Sequence, residues 1–591
     1  MDNLLFKKVE YAVGKLLEDI SMGEIGLPDI QRPFVWSNAQ VRDLFDSMYR
    51  GYPVGTLLFW ENGLTESRRT LGLDNKQKTP RLLIVDGQQR LTALYAAMRG
   101  VPIVDKNFSK RRLKVAFDPL EEHFEVSNAA IERNPAWISD ISELWGKNVD
   151  LFSFTSRFLS CLAEKRPLGE PERQKIASAI SNLYNNLQRY PLTALEISSS
   201  ASEEQVSDIF VRVNSKGRML NQADFILTLM SVFWDEGRKA LELFAQRSMT
   251  PAVTNQPSPY NPFFQPSPDQ LLRVVVALAF RRARLANVYA ILRGKDLETG
   301  EFSETSRRKQ FERLRAGQEK VLNLQNWHDF LHVVKLAGYS HKSLILSETA
   351  LVYNYALWLI GKYDFNVPPA QLRNIMAHWF FMTALTARYT GSSESRMEQD
   401  LAMLRGKREP HAFVEALERE IRAVFTNDYW AVTLPNNLET SAARTPSQAA
   451  FYASLVVIDA PVLFSHMKVR DLLSPNVRPV KQALERHHLF PRNYLRKQGI
   501  SDDRLINQIA NFTLIEWRDN IEISDQPPAS YAPDHERRFA PHEIRRMYKY
   551  HALREGWYEM DYTDFLMDRR KRMAEVIREG YQSLPSFSTA N

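Results

Sequence analysis

Arg81-Leu82-Leu83-Ile84-Val85-Asp86-Gly87-Gln88-Gln89-Arg90-Leu91-Thr92-Ala93-Leu94 joins two patterns within one short stretch. Leu82 to Val85 is an apolar run of strand length, and Asp86-Gly87 turns the chain. From Gln88 to Met98 the apolar positions Leu91, Leu94 and Ala97 recur at helical spacing, and Gly100 marks the stop. A strand that hands over to a helix through a glycine presents backbone N–H groups and the positive end of the helix dipole, which suits a phosphate. Gly87 lets a ligand approach the backbone. Asp86 has the chemistry to hold a metal or orient water, Gln88 and Gln89 to orient water or a base, and Arg90 to grip a phosphate with two donors. The same residues equally suit a plain turn whose aspartate caps the helix. No Walker A loop is present, so a P-loop is excluded.

Working outward, Ser37 to Tyr49 reads as a capped helix with Val41, Leu44, Phe45 and Met48 on one face. Thr56 to Trp60 and Leu113 to Phe117 read as strands. The pattern turns increasingly helical toward residue 235, and Pro251 to Pro268 is a Pro-, Asn- and Ser-rich loop. Residues 269–430 carry long helical periodicities, broken at Pro435-Asn436-Asn437. Three blocks follow: 1–235, 236–435 and 436–591.

Composition narrows the class. Hydrophobic residues at 44% supply several cores and exclude wholesale disorder. The single cysteine, Cys161, excludes a disulfide framework or a Cys-rich zinc module and fits a reducing cytosol. The charged N-terminus does not read as a signal peptide, and apolar runs such as Val274 to Phe280 fall far below the ~20 residues a membrane span needs. A soluble cytoplasmic protein is expected. Net charge is +7, and 12 Lys/Arg against 6 Asp/Glu in residues 273–320 account for nearly all of it. That stretch holds Arg281, Arg282, Arg284, Arg307, Arg308 and Lys309, which suit either a phosphate-tracking surface or a solvated helix face. Lys110-Arg111-Arg112 is a smaller cluster.

The C-terminal block holds a second constellation. Leu484-Glu485-Arg486-His487-His488-Leu489-Phe490-Pro491 is a strand-like run ended by proline, followed by Asn507-Gln508-Ile509-Ala510-Asn511-Phe512-Thr513-Leu514-Ile515 and by Asp519-Asn520-Ile521-Glu522. A ββα-metal nuclease needs a histidine base, a group that orients it and a divalent ion; His-His, Asn and Asn supply one such set. Ordinary surface or core histidines beside turn asparagines would give the same letters. Neighbours on a regular strand face opposite sides, so both histidines share a site only if the strand ends or twists there. His535, His542 and His551 sit among Glu and Arg and read as solvated or structural.

QRPFVW (31–36), DGQQRLTAL (86–94), FVRVNSKGRML (210–220) and RYTGSSES (388–395) together resemble the GmrSD family of modification-dependent (type IV) restriction enzymes. The resemblance implies a predominantly helical α+β protein: a ParB/sulfiredoxin-like N-terminal domain, a helical middle and a C-terminal ββα-metal (HNH) nuclease domain. It implies a nucleotide-hydrolysing site of Asp86, Gln88, Gln89 and Arg90, lined by Gln31, Arg32, Gly87, Asn214 and Gly217. Many relatives carry Tyr or Phe before the QRP, where this chain has Ile30. In the nuclease domain it implies His488 as general base, Asn511 as its orienting group, and His487 and Asn520 as metal ligands. The implied cofactors are Mg²⁺ or Mn²⁺ and a nucleoside triphosphate, ATP, GTP or another. The implied partner is double-stranded DNA, chiefly modified phage DNA with hydroxymethylated or glucosylated cytosine; a homodimer is compatible and no membrane is involved. Two alternatives stay open: a ParB-like DNA- or nucleotide-binding switch with a degenerate nuclease, and an NTPase-regulated RNase or toxin.

Overall fold

The computed structural model describes residues 4–26, 34, 36–61, 81–105, 110–146, 149–201, 205, 209, 227, 230, 234–251, 256–285, 299, 304–442, 444–473 and 484–587. The chain divides into two compact units, Met1–Val232 and Phe233–Asn591.

The first unit is built on a five-stranded mixed sheet. Its strands are β1 (Phe6–Ala12), β2 (Ile25–Gly26), β3 (Leu57–Glu61), β4 (Leu82–Asp86) and β5 (Pro191–Ile197), in spatial order β1-β5-β3-β4-β2. β1 pairs antiparallel with β5 from Phe6↔Ile197 to Ala12↔Pro191. β3 runs parallel to β5 and antiparallel to β4, with a register shift between Leu58 and Phe59. β2 pairs parallel to β4. The apolar run read at 82–85 is therefore an inner strand, which explains why it does not alternate.

Helices cover the sheet with their apolar faces. Asn38–Tyr49 starts at a reciprocal Ser37/Gln40 capping box and buries Val41, Leu44, Phe45 and Met48, the face the sequence marks. Gln88–Arg99 buries Leu91, Leu94 and Ala97 and ends at Gly100 in the left-handed region (φ 64°). Glu170–Arg189 contributes Ile176, Ile180, Leu183 and Leu187 to the same core.

The second unit is mostly helix. Glu304–Val321, Glu348–Tyr363 and Pro369–Leu385 are long helices within the periodic region 269–430, and Leu324–Leu336 is a further one. Near the end of that region Ser393–Ala402 and Pro410–Val424 are two separate helices, because Gly406 at φ 71° turns the chain between them. Pro435-Asn436-Asn437, read as a break, lies in the helical turn Leu434–Asn437; the proline sits in its first turn, where no intrahelical N–H is lost.

Residues 236–435 and 436–591 share this unit. His378 on Pro369–Leu385 packs edge-on against Tyr581, and Gln371 donates to the Phe587 carbonyl at 3.2 Å. No helix among the described residues is long and apolar enough to cross a membrane.

Candidate functional sites

At the end of β4, Asp86 precedes Gly87, which sits at φ 95° as the cap of Gln88–Arg99. A Cβ on Gly87 would lie 2.3 Å from Leu57 Cδ2, so both the left-handed backbone and the close approach of β3 require glycine. Arg90, one turn into the helix, folds back to 3.6 Å from the Asp86 carboxylate. It donates to the carbonyls of Val54 and Thr56, both at 2.9 Å. Desolvation pulls the Arg90 pKa down from the usual arginine value, with Asp86 opposing that shift. Gly55 at φ 93° makes room for this guanidinium, since a Cβ there would lie 2.6 Å from Arg90 Nη1.

Asp86, Gly87, Gln88, Gln89 and Arg90 thus form one junction, as the sequence implies. Two of the Arg90 donors are already committed to the 54–56 loop. Gln31, Arg32, Asn214 and Gly217 lie outside the described residues. Phe34 of the QRPFVW stretch is buried, and its N–H donates to Val104 O at 2.7 Å.

Nearby, sequence reasoning missed Glu196. It is buried on β5 and hydrogen-bonded by Tyr11, with Lys7 Nζ at 2.9 Å. Burial and that carboxylate push the Tyr11 phenol up to about 12. A lone Glu in an apolar strand, Leu195-Glu196-Ile197, was the available signal.

In the second unit β6 (Leu484–His488) pairs antiparallel with β7 (Phe512–Glu516), and the helix Trp517–Ile523 follows directly. Pairing runs without a bulge to His488↔Phe512, where the strand ends. The two histidines take separate partners, as strand alternation requires. His487 is buried; its Nδ1 lies 2.8 Å from Asn520 Oδ1 on the helix. Its Nε2 is buried with no hydrogen-bond partner. Desolvation lowers the His487 pKa to about 4, so the ring is neutral. His488 is half-buried over Phe512, and its Nε2 lies 3.0 Å from Asn507 Oδ1.

Asn511 differs from its expected role. Its fully buried amide is spent on backbone, accepting from Phe490 N at 2.9 Å and donating to the Phe490 and Ile506 carbonyls at 3.0 Å. Asn507 holds the His488 ring instead. Asn511 fixes the loop that follows the histidines, because residues beyond a strand's end have no ladder to satisfy their peptide groups. Arg569, buried and without a carboxylate partner among the described residues, reinforces this by donating to Ala510 O at 2.6 Å and Phe512 O at 2.8 Å.

Two of the remaining histidines are interior. His551 is fully buried between Thr513 Oγ1 (2.8 Å) and Pro461 O (2.9 Å), and its pKa falls to about 4 through burial. His535 is buried with Nδ1 2.9 Å from Tyr531 O. His542 is exposed.

The basic stretch is partly neutralised. Arg281 pairs with Asp364 at 2.6 Å and Arg282 with Glu398 at 2.9 Å. Arg284, Arg308 and Lys309 are exposed, while the Arg307 side chain lies outside the described residues. Arg388 is a core residue: it pairs with Asp400 at 2.5 Å and Glu420 at 2.8 Å.

An uncharacterised protein of Methanocaldococcus jannaschii is 24% identical over 546 residues, covering 87% of this chain and 84% of that protein. Residues 13–231, which contain the β4–Gly87–helix junction, match the family model of the GmrSD restriction endonuclease N-terminal domain.

Proposed function

We propose that this protein is a nucleotide- and metal-dependent DNA endonuclease that restricts modified phage DNA. The observation that carries the reading is the ββα unit 484–523, in which His487 reaches Asn520 and His488 stands at the strand's end, in a chain whose residues 13–231 match a restriction-endonuclease domain. An amide oxygen only accepts, so Asn520 Oδ1 implies a proton on His487 Nδ1 and leaves the lone pair on Nε2. A buried, neutral, unpartnered imidazole nitrogen whose ring is fixed from its other side suits a metal ligand. Asn520 orients that ring through its Oδ1 on the Nδ1 side. A divalent ion bound there supplies charge stabilisation for the phosphorane and the leaving oxygen. In this reading His488, whose Nε2 is turned to Asn507 at the strand's end, accepts the proton of the attacking water.

In the N-terminal unit the junction offers helix N–H groups and the Gly87 backbone to a nucleotide's phosphates, and Asp86 to a metal or a water beside them. One observation favours a second reading, a nucleotide-binding switch without turnover. Arg90 already holds the Val54 and Thr56 carbonyls, which makes it a loop-positioning residue that a ligand would release.

The test is His488→Ala with cleavage of modified phage DNA, unmodified DNA and RNA in Mg²⁺ or Mn²⁺, with and without each nucleoside triphosphate. Cleavage of modified DNA lost in the variant is expected. Undiminished cutting removes His488 as the base, and cutting of RNA alone removes the restriction reading. Hydrolysis that survives both Asp86→Ala and Arg90→Ala removes the N-terminal site.

A further inference from the structure

Beside the His487–Asn520 pair lies a group of ligating side chains that the nuclease reading does not use. Asp519 and Glu522 stand one turn apart on Trp517–Ile523, and His535 projects from Pro528–Glu536. One ligand atom from each lies within 4.8 Å of the others. Carboxylates alone would not make a site, since exposed acids commonly pair with solvent and arginine. The imidazole changes the matter. His535 is 2% exposed, and its Nδ1 lies 2.9 Å from the Tyr531 carbonyl. A carbonyl only accepts, so Nδ1 carries the proton and Nε2 carries a lone pair. That Nε2 is buried without a hydrogen-bond partner and lies 3.8 Å from Asp519 Oδ1. The separation is too long for a hydrogen bond. It falls within what two metal–ligand bonds of about 2.0–2.2 Å can bridge. A ligating histidine typically donates its other ring N–H to a carbonyl, which is what Tyr531 provides.

A cation already touches the outer side of this group. The half-exposed Arg538 donates to Asp519 Oδ1 at 3.1 Å and to Glu522 Oε2 at 3.0 Å. Two carboxylates against one guanidinium leave a net negative charge beside the His535 ring. One nitrogen and two oxygens form a donor set for a borderline divalent ion, and three protein ligands leave a position open.

We propose that Asp519, Glu522 and His535 form a second divalent-cation site, for Mn²⁺ or Zn²⁺, at which ion binding displaces the Arg538 guanidinium. It is separate from the His487 ligand assignment and stands or falls without it.

Titration of the chelator-stripped full chain with Mn²⁺ and with Zn²⁺, followed by calorimetry and bound-metal analysis, tests this. Glu522 is exposed, so Glu522→Gln leaves the core intact, and it should weaken one class of site by roughly 10-fold or more. His535→Ala should abolish that class; circular dichroism checks that the variant folds. Arg538→Ala should tighten the same class, because the competing cation is gone. His487→Ala should leave it unchanged. An isotherm unaltered by Glu522→Gln and by Arg538→Ala overturns the proposal. A single class of site that is lost in His487→Ala and kept in Glu522→Gln assigns the ion to the nuclease ligands alone and also overturns it. A single class that is lost in Glu522→Gln and kept in His487→Ala supports the proposal while removing His487 as a ligand; two classes, each lost in its own variant, support both assignments.

Discussion

Asn511 clamps both ends of residue Phe490: its Oδ1 accepts from Phe490 N at 2.9 Å and its Nδ2 donates to Phe490 O at 3.0 Å. The same Nδ2 donates to Ile506 O, and the whole side chain is buried. Asn511→Ala therefore strands the Phe490 N–H and C=O, each costing about 1–3 kcal/mol when left unsatisfied, while Ile506 O keeps the Tyr562 hydroxyl at 3.3 Å. We expect a marked fall in the urea midpoint. Asn507→Ala should leave that midpoint nearly unchanged while reducing cleavage, because Asn507 contacts the His488 ring and lies at the surface side of its helix end. Equal midpoints for the two variants would refute this division of roles.

Arg388 and Asp400 form a bidentate pair, with Tyr389 adding a hydrogen bond to the same carboxylate at 2.8 Å. Asp400→Ala removes the acceptor and leaves a guanidinium with only Glu420 nearby. Breaking such a buried pair costs about 3–5 kcal/mol. Thermal denaturation should show the loss equally at low and high salt, since buried charges are poorly screened. A loss that disappears in high salt would place Arg388 at the surface.

Gly55 and Arg90 offer a test at the N-terminal junction that spares the arginine. A Cβ at position 55 would meet the guanidinium at 2.6 Å, and φ 93° disfavours any side chain. Gly55→Ala should push Arg90 off the Val54 and Thr56 carbonyls and destabilise the unit by about 1–3 kcal/mol. Nucleotide binding by Gly55→Ala should then change in the same direction as in Arg90→Ala. Opposite changes would show that the loop contacts are unrelated to the ligand.

Burial holds His378, His487 and His551 each at a pKa of about 4 in the folded protein, against 6.5 for the free side chain. Between those values the unfolded chain binds protons that the folded one refuses. Stability is therefore full above pH 6.5 and falls as pH drops toward 4. Urea midpoints measured at pH 7 and pH 5 should differ in that sense, and His551→Gln should reduce the difference. A midpoint that rises on acidification would contradict the neutral buried state.

The sequence by itself determined the local elements. The Ser37 cap, the apolar face of Asn38–Tyr49 and the strand–glycine–helix junction at Asp86–Gln88 follow from residues within one turn of each other. Such interactions are set by backbone geometry and survive any arrangement of the rest. The family resemblance singled out both His487 and Asn520, and the structure sets them 2.8 Å apart although 33 positions separate them. Only the tertiary structure decided which asparagine faces His488. Asn507 and Asn511 are one helical turn apart and chemically identical, and packing alone distinguishes them. It decided likewise that Arg281 and Arg282 are paired, with acids 83 and 116 residues away, and that His535 and His551 are interior. A charge's partner and an imidazole's surroundings depend on which distant surfaces meet, and no local period encodes that.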